Sequence, residues 1–249
     1  MAIYETGHAK NVANFALLVQ EVTTLGPMYK PGTEDIKLPA LNAKNGIVQA
    51  KMSAYDAALA AWKSEVNGRQ TEYEKMNTLS ARVMGQLKSL DLNAKIVKDA
   101  NGIVKKIRGQ RARRLPPTPE PISEERAETI SSSQRSFDNR KDNFEKLIKL
   151  VGTVQDYKPN EAELTIAGLG AYLASLGKVN DKVNRTGAEL AKARKERDIE
   201  LYREKTGAVD IALRVKEYVK GALTPSNPAY KRIKAIRFKD LLLSAAESK

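Results

Sequence analysis

Apolar side chains recur in alternate steps of four and three through Leu41, Asn45, Val48, Met52, Tyr55, Leu59, Trp62 and Val66. That spacing averages 3.5 residues, the signature of a helix that buries one continuous seam. Asn45 is the one plainly polar member, placed near the helix start. Pro39 belongs in the first turn, because deeper inside it would remove a hydrogen bond and clash with the preceding turn. The helix is therefore predicted to begin near Leu38. The seam returns at Leu169, Leu173, Leu176, Asn180, Val183, Gly187 and Leu190, each 128 residues on. By the same offset the second helix begins near Ile166, with Thr165 as its N-cap. Asn67-Gly68 alone suggests a turn, but its counterpart Lys195-Glu196 is an ordinary helical pair. The first helix is thus predicted to run through Asn67-Gly68 to about Met76, and its partner to about Glu204.

Shorter amphipathic stretches flank these seams. Val12, Phe15, Leu18, Val19, Val22 and Leu25 sit at helical spacing, as do Phe144, Leu147, Ile148, Val151 and Val154. Breaks are expected at Thr78 and at Thr206-Gly207. Third helices follow with Leu79, Val83, Leu87 and Leu90, and with Ile211, Val215 and Tyr218. Fourth helices are predicted over about Ala94–Arg108 and Pro228–Phe238. No useful run alternates with period two, so almost no sheet is expected.

The correspondence extends beyond the seams. Tyr29-Lys30-Pro31 recurs as Tyr157-Lys158-Pro159, Asn14-Phe15 as Asn143-Phe144, and Val104-Lys105-Lys106-Ile107-Arg108 as Ile233-Lys234-Ala235-Ile236-Arg237. Three anchors in one order, at offsets of 128 or 129, point to a tandem duplication. The predicted fold is all-α: two antiparallel helical bundles, 1–109 and 136–249, each with one long central helix, related by a pseudo-twofold. Left-handed crossing near +20° suits such seams. Between the bundles, residues 110–135 hold Pro116, Pro117, Pro119 and Pro121, a semi-rigid linker by composition.

At 249 residues, 41% hydrophobic and 29% charged, with a mean hydropathy of −0.48, the chain has the balance of a helical protein that folds in water. Its formal charge is +13. Up to residue 128 there are 19 basic and 14 acidic residues; beyond it there are 24 and 16. Both halves are basic, so the charge is no detachable tail, and polyanions are attracted to such a surface. The absence of cysteine excludes disulfides and thiolate metal sites. Neither a signal peptide nor a transmembrane segment is visible, which makes the cytoplasm the expected location.

The inventory of catalytic residues is thin. His8 is the only histidine, so neither a zinc cluster nor a Cys/His pair can be assembled; it reads as a residue of the first turn. No nucleophile elbow, phosphate-binding loop or metalloprotease motif occurs. Gly168, Gly170 and Gly177 are expected to permit close helix contacts. Arg69 and Arg197 share one seam register and are expected to pair with Glu72 and Glu200 one turn on. Tyr29 and Tyr157 are expected to plug the open ends of the bundles with their hydroxyls in water. No catalytic residue, metal site, cofactor or small-molecule substrate is expected.

Cations crowd the matching ends of the two copies. Lys105, Lys106, Arg108, Arg111, Arg113 and Arg114 close the first, and Lys231, Arg232, Lys234, Arg237 and Lys239 close the second. Two function classes follow. The leading one is a non-enzymatic scaffold or interaction protein, engaging a protein partner or further copies of itself. The alternative is sequence-independent nucleic-acid binding through the two basic ends, with phosphates gripped at two points.

Overall fold

The computed structural model of the protein describes residues 7–109 and 136–241. Among them the fold is all-helical, without a strand. The helices are α1 (His8–Leu25), α2 (Leu38–Ser89), α3 (Ala94–Ile107), α4 (Phe137–Gly152), α5 (Ile166–Tyr202), α6 (Ala208–Ala222) and α7 (Pro228–Ala235). Short 3-10 turns occupy Gly26–Met28, Glu34–Ile36 and Ala162–Leu164.

Local chemistry sets most boundaries. Ser136, Asn93 and Asn227 each accept a hydrogen bond at a helix N-terminus, from the N–H groups of Asn139, Lys95 and Ala229. Pro228 occupies the first turn of α7, where its missing N–H costs nothing. α1 stops where Gly26 takes a φ of 52°, ahead of Pro27. α2 and α5 begin at Leu38 and Ile166, as the proline and the repeat predict. Thr165 caps α5, its hydroxyl accepting from Gly168 N–H at 3.0 Å.

Two expectations are corrected. Thr78 does not interrupt α2, which continues to Ser89 and fuses the predicted second and third helices into 52 residues. The break predicted at Thr206-Gly207, by contrast, does form, between α5 and α6. There Lys205 has a φ of 66°, and Gly207 sits so close to the preceding turn that a Cβ would lie 2.7 Å from the backbone N and O of Arg203. The corresponding stretch, Asn77-Thr78-Leu79, has no glycine to permit that approach. Gly168 and its neighbours do not mediate helix contacts either. Gly168 lies against the carbonyl of Ala162 in the preceding turn, while Gly170 has open space and Gly177 only the far end of Lys141 at 4.0 Å.

The chain divides into two compact units, and they are not its N-terminal and C-terminal halves. A terminal unit joins Met1–Trp62 with Thr186–Lys249; a middle unit is Lys63–Arg185. In the terminal unit Phe15, Leu18 and Val22 of α1 share one core with Ile211, Val215 and Val219 of α6, Ile233 of α7, Leu41 and Val48 of α2, and Leu201 of α5. In the middle unit Phe144, Leu147 and Val151 of α4 share a core with Val104 and Ile107 of α3, Tyr73, Met76 and Val83 of α2, and Leu169 and Leu176 of α5. Compact packing thus does not follow the division at 109 and 136. The apolar face of α1 is covered by α6 and α7, from the other end of the chain, and that of α4 by α3.

α2 and α5 each contribute to both units. In the terminal unit they run antiparallel, with Lys44 bound to Glu200 at 2.6 Å and Lys51 to Glu196 at 2.8 Å. Their seam is unevenly buried. Leu41 and Val48 are buried, whereas Met52, Tyr55, Leu59, Trp62 and Val66 are only half-buried.

The loop tyrosines do plug the core, but their hydroxyls are not wet. Tyr29 OH donates to the Ile36 carbonyl at 2.6 Å, and Tyr157 OH donates to the Leu164 carbonyl at 2.9 Å. Both bonds span seven residues and close equivalent loops. Tyr29→Phe and Tyr157→Phe are each expected to cost about 1 kcal/mol, because a buried carbonyl loses its donor. Lying in separate units, the two losses should add within error in chemical denaturation of the double variant.

Candidate functional site

A buried polar cluster lies in the terminal unit, where the first turn of α1 meets the last turns of α5. Arg197 is almost fully buried at 4% exposure. Its Nε and Nη2 donate to Asp198 Oδ1 at 2.9 and 2.7 Å. Its guanidinium lies 4.2 Å from the centre of the Tyr55 ring. Nη2 also meets His8 Nε2 at 3.1 Å. A guanidinium only donates, so Nε2 accepts and the imidazole proton sits on Nδ1. Nδ1–H then donates to Tyr202 OH at 2.9 Å. Asn11 Nδ2 donates to the same hydroxyl at 3.1 Å and to the Lys239 carbonyl at 2.7 Å, while Asn11 Oδ1 accepts from Lys239 N–H.

This corrects the expected arginine pairing. Glu200 is bound to Lys44 and Glu72 to Lys75. Arg197 uses its sequence neighbour Asp198, and Arg69 stacks 4.1 Å from the centre of the Phe137 ring. Side chains on adjacent helical residues normally diverge; here two guanidinium nitrogens of Arg197 nevertheless reach one carboxylate oxygen of Asp198. His8 is likewise more than a first-turn residue, since both ring nitrogens are engaged.

The middle unit repeats the pattern with different chemistry. Phe137 stands at the position of His8, Arg69 at that of Arg197 and Tyr73 at that of Tyr202. Phe137 packs edge-on to Tyr73 with centroids 4.7 Å apart. Tyr73 OH accepts from Asn180 Nδ2 at 3.0 Å. Arg140, matching Asn11, donates to the carbonyls of Ile107 and Tyr73 at 3.1 and 3.0 Å.

Burial and the Arg197 charge, in that order, hold the His8 imidazole below its ordinary 6.5, against a smaller pull upward from Asp198. The folded state therefore favours neutral His8. The unfolded chain takes up the proton first as pH falls, so this contribution is complete above pH 6.5 and disappears as pH drops through the folded value. With one histidine in the chain, the loss is assignable. Thermal unfolding should drop as pH falls below 6.5, and His8→Gln should flatten that part of the profile.

A hollow of about 520 Å³ adjoins the cluster, lined by Arg194, Asp198, Ile199, Tyr202 and Arg203 among others. No group of three or more histidine, cysteine, aspartate or glutamate side chains able to hold a metal occurs among the described residues.

The basic ends lie in different units. Lys105, Lys106 and Arg108, at the end of α3 in the middle unit, are exposed. Arg111, Arg113 and Arg114 lie outside the described residues. In the terminal unit Lys231, Arg232, Lys234, Arg237 and Lys239 are exposed too. Arg232 is held by Glu21 at 2.8 Å. Lys234 lies 5.9 Å from the centre of the Tyr230 ring. The backbone of Arg237 accepts from Asn14, and that of Lys239 pairs with Asn11. Sequence reasoning missed Lys216, which is half-buried and donates to the carbonyls of Lys234 and Ile236 at 3.1 and 2.6 Å. Nothing in a lone helical lysine announces that it will clamp the end of another helix.

No helix among the described residues is long and apolar enough to cross a membrane. Compared with known proteins, the chain matches no family model, no curated protein sequence and no solved structure.

Proposed function

We propose that the chain is a non-enzymatic helical scaffold, made from one duplicated element whose copies have exchanged parts, and that it engages a protein partner or further copies of itself through repeated surfaces. The carrying observation is the reciprocal set of contacts at offsets of 128 and 129. His8 meets Arg197 and Tyr202; Phe137 meets Arg69 and Tyr73. In both cases the opening helix of one copy docks on the long helix of the other. The strongest polar groups of the cluster bind one another, which suits a device for fixing geometry. The half-buried stretch from Met52 to Trp62 in the terminal unit leaves apolar area that a third helix would cover. Light scattering of the full chain tests this reading. Assembly that grows with concentration, or one stoichiometric co-purifying partner, supports it; a strict monomer with no partner contradicts it.

A second reading has its own observation. Lys105, Lys106, Arg108, Lys231, Lys234 and Lys239 have exposed side chains without a carboxylate partner among the described residues. Sequence-independent binding of nucleic acid through these ends would show as a gel shift at low salt that weakens steeply as salt rises.

A further inference from the structure

α6 and α7 enclose a cleft of about 420 Å³, lined by Lys216, Glu217, Val219, Lys220, Tyr230, Ile233 and Lys234. Three lysines face one carboxylate, and that carboxylate is taken: Glu217 binds Lys220 at 3.1 Å. Among the described residues no carboxylate makes an ion-pair contact with the other two ammonium groups, and Glu217 acts on Lys216 only at longer range. Lys216 places two N–H donors on the carbonyls of Lys234 and Ile236. An ammonium has three donors, so one remains. The Lys234 ammonium lies over the Tyr230 ring, 5.9 Å from its centre. Burial pushes the Lys216 ammonium below its ordinary range, so an anion arriving there would stabilise a charge that the protein alone holds at a cost. The floor is apolar, from Val219 and Ile233, both buried.

We propose that this cleft binds a nucleotide unit, its phosphate between Lys216 and Lys234 and its base against Tyr230. An aromatic face beside paired cations is the arrangement by which single strands are held without sequence preference. Lysine suits it, since a point charge grips phosphate without demanding fork geometry. The inference rests on the second reading above and narrows it to one place. The shared chemistry, a phosphate carrying a base, has two sources: a free nucleotide or a strand.

The test uses the full chain with fluorescein-labelled oligothymidylate, read by anisotropy, and thymidine 5′-monophosphate as competitor. Tyr230→Leu keeps the charge and removes the stacking face; it should weaken the oligomer by about 5- to 100-fold. Lys234→Gln should lower the slope of log affinity against log salt by about 0.7. Should Tyr230→Leu lose helicity by circular dichroism, Lys234→Gln decides, because its side chain is exposed. Displacement by the monophosphate assigns the cleft to free nucleotides; its failure to displace assigns the cleft to a strand. Binding that ignores both variants but falls in Lys105→Gln/Lys106→Gln overturns the cleft and leaves the second reading standing. No binding at low salt overturns both.

Discussion

Phe144→Ala should destabilise the middle unit by about 3–5 kcal/mol, and the pattern of the loss matters more than its size. Phe144 is fully buried in α4, in the core that holds Val104 and Ile107 of α3. Truncation removes an aromatic side chain and leaves a cavity that rigid helices fill only in part. Hydrogen exchange should therefore accelerate in Ala94–Ile107, which belongs to the other sequence half, while Ala208–Ala222 keeps its protection. The matching variant, Phe15→Ala, should reverse the pattern. Phe15 is fully buried against α6 and α7, so Ala208–Ala222 should open and Ala94–Ile107 should not. Consecutive bundles would give the opposite assignment in both variants, which makes the pair of experiments decisive in a way that one melting temperature is not.

Arg197→Met should cost about 3–5 kcal/mol, against little for Arg69→Met. The two arginines share a register, but only Arg197 is almost fully buried with a bound carboxylate. Methionine fills similar volume, so the loss is electrostatic: Asp198 stays in a largely enclosed place without its counter-charge, and His8 Nε2 loses its donor. Adding Asp198→Asn should recover much of the loss, because replacing both members of a buried pair costs far less than removing one. Arg69 makes a stacking contact on Phe137, and methionine replaces much of it with aliphatic packing. Urea titrations of the two single variants and the double variant measure these differences. Equal losses for Arg197→Met and Arg69→Met would show that burial of the guanidinium does not set the cost.

Much of this fold was legible in the chain. The period of 3.5 located the seams, Pro39 and the offset of 128 located both long-helix starts, and Tyr29 and Tyr157 were rightly placed in loops over the core. What failed was non-local. Whether α2 breaks at Thr78 turns on a close backbone approach that only glycine tolerates, and the approach is visible only at Gly207. The partner of Arg197 depends on which neighbour lies deeper, and helical spacing alone favours Glu200. Most consequential was the composition of the compact units. The apolar face of α1 states that something covers it, not what. When two stretches of a chain offer nearly the same groove, hydrophobic pattern cannot choose between the one near in sequence and the one far from it. The candidate cleft shows the same limit: Lys234 belonged to a visible basic run, but Lys216 and Lys220 of α6 joined it only through tertiary packing.

The most direct test inserts a protease recognition sequence after Pro119 and cuts the folded protein there. If each compact unit takes helices from both sides of the cut, the fragments will elute together under native conditions, with helicity unchanged, and separate only in denaturant. Two fragments that part in native buffer, each still fully helical, would contradict the exchange of parts and the scaffold reading built on it.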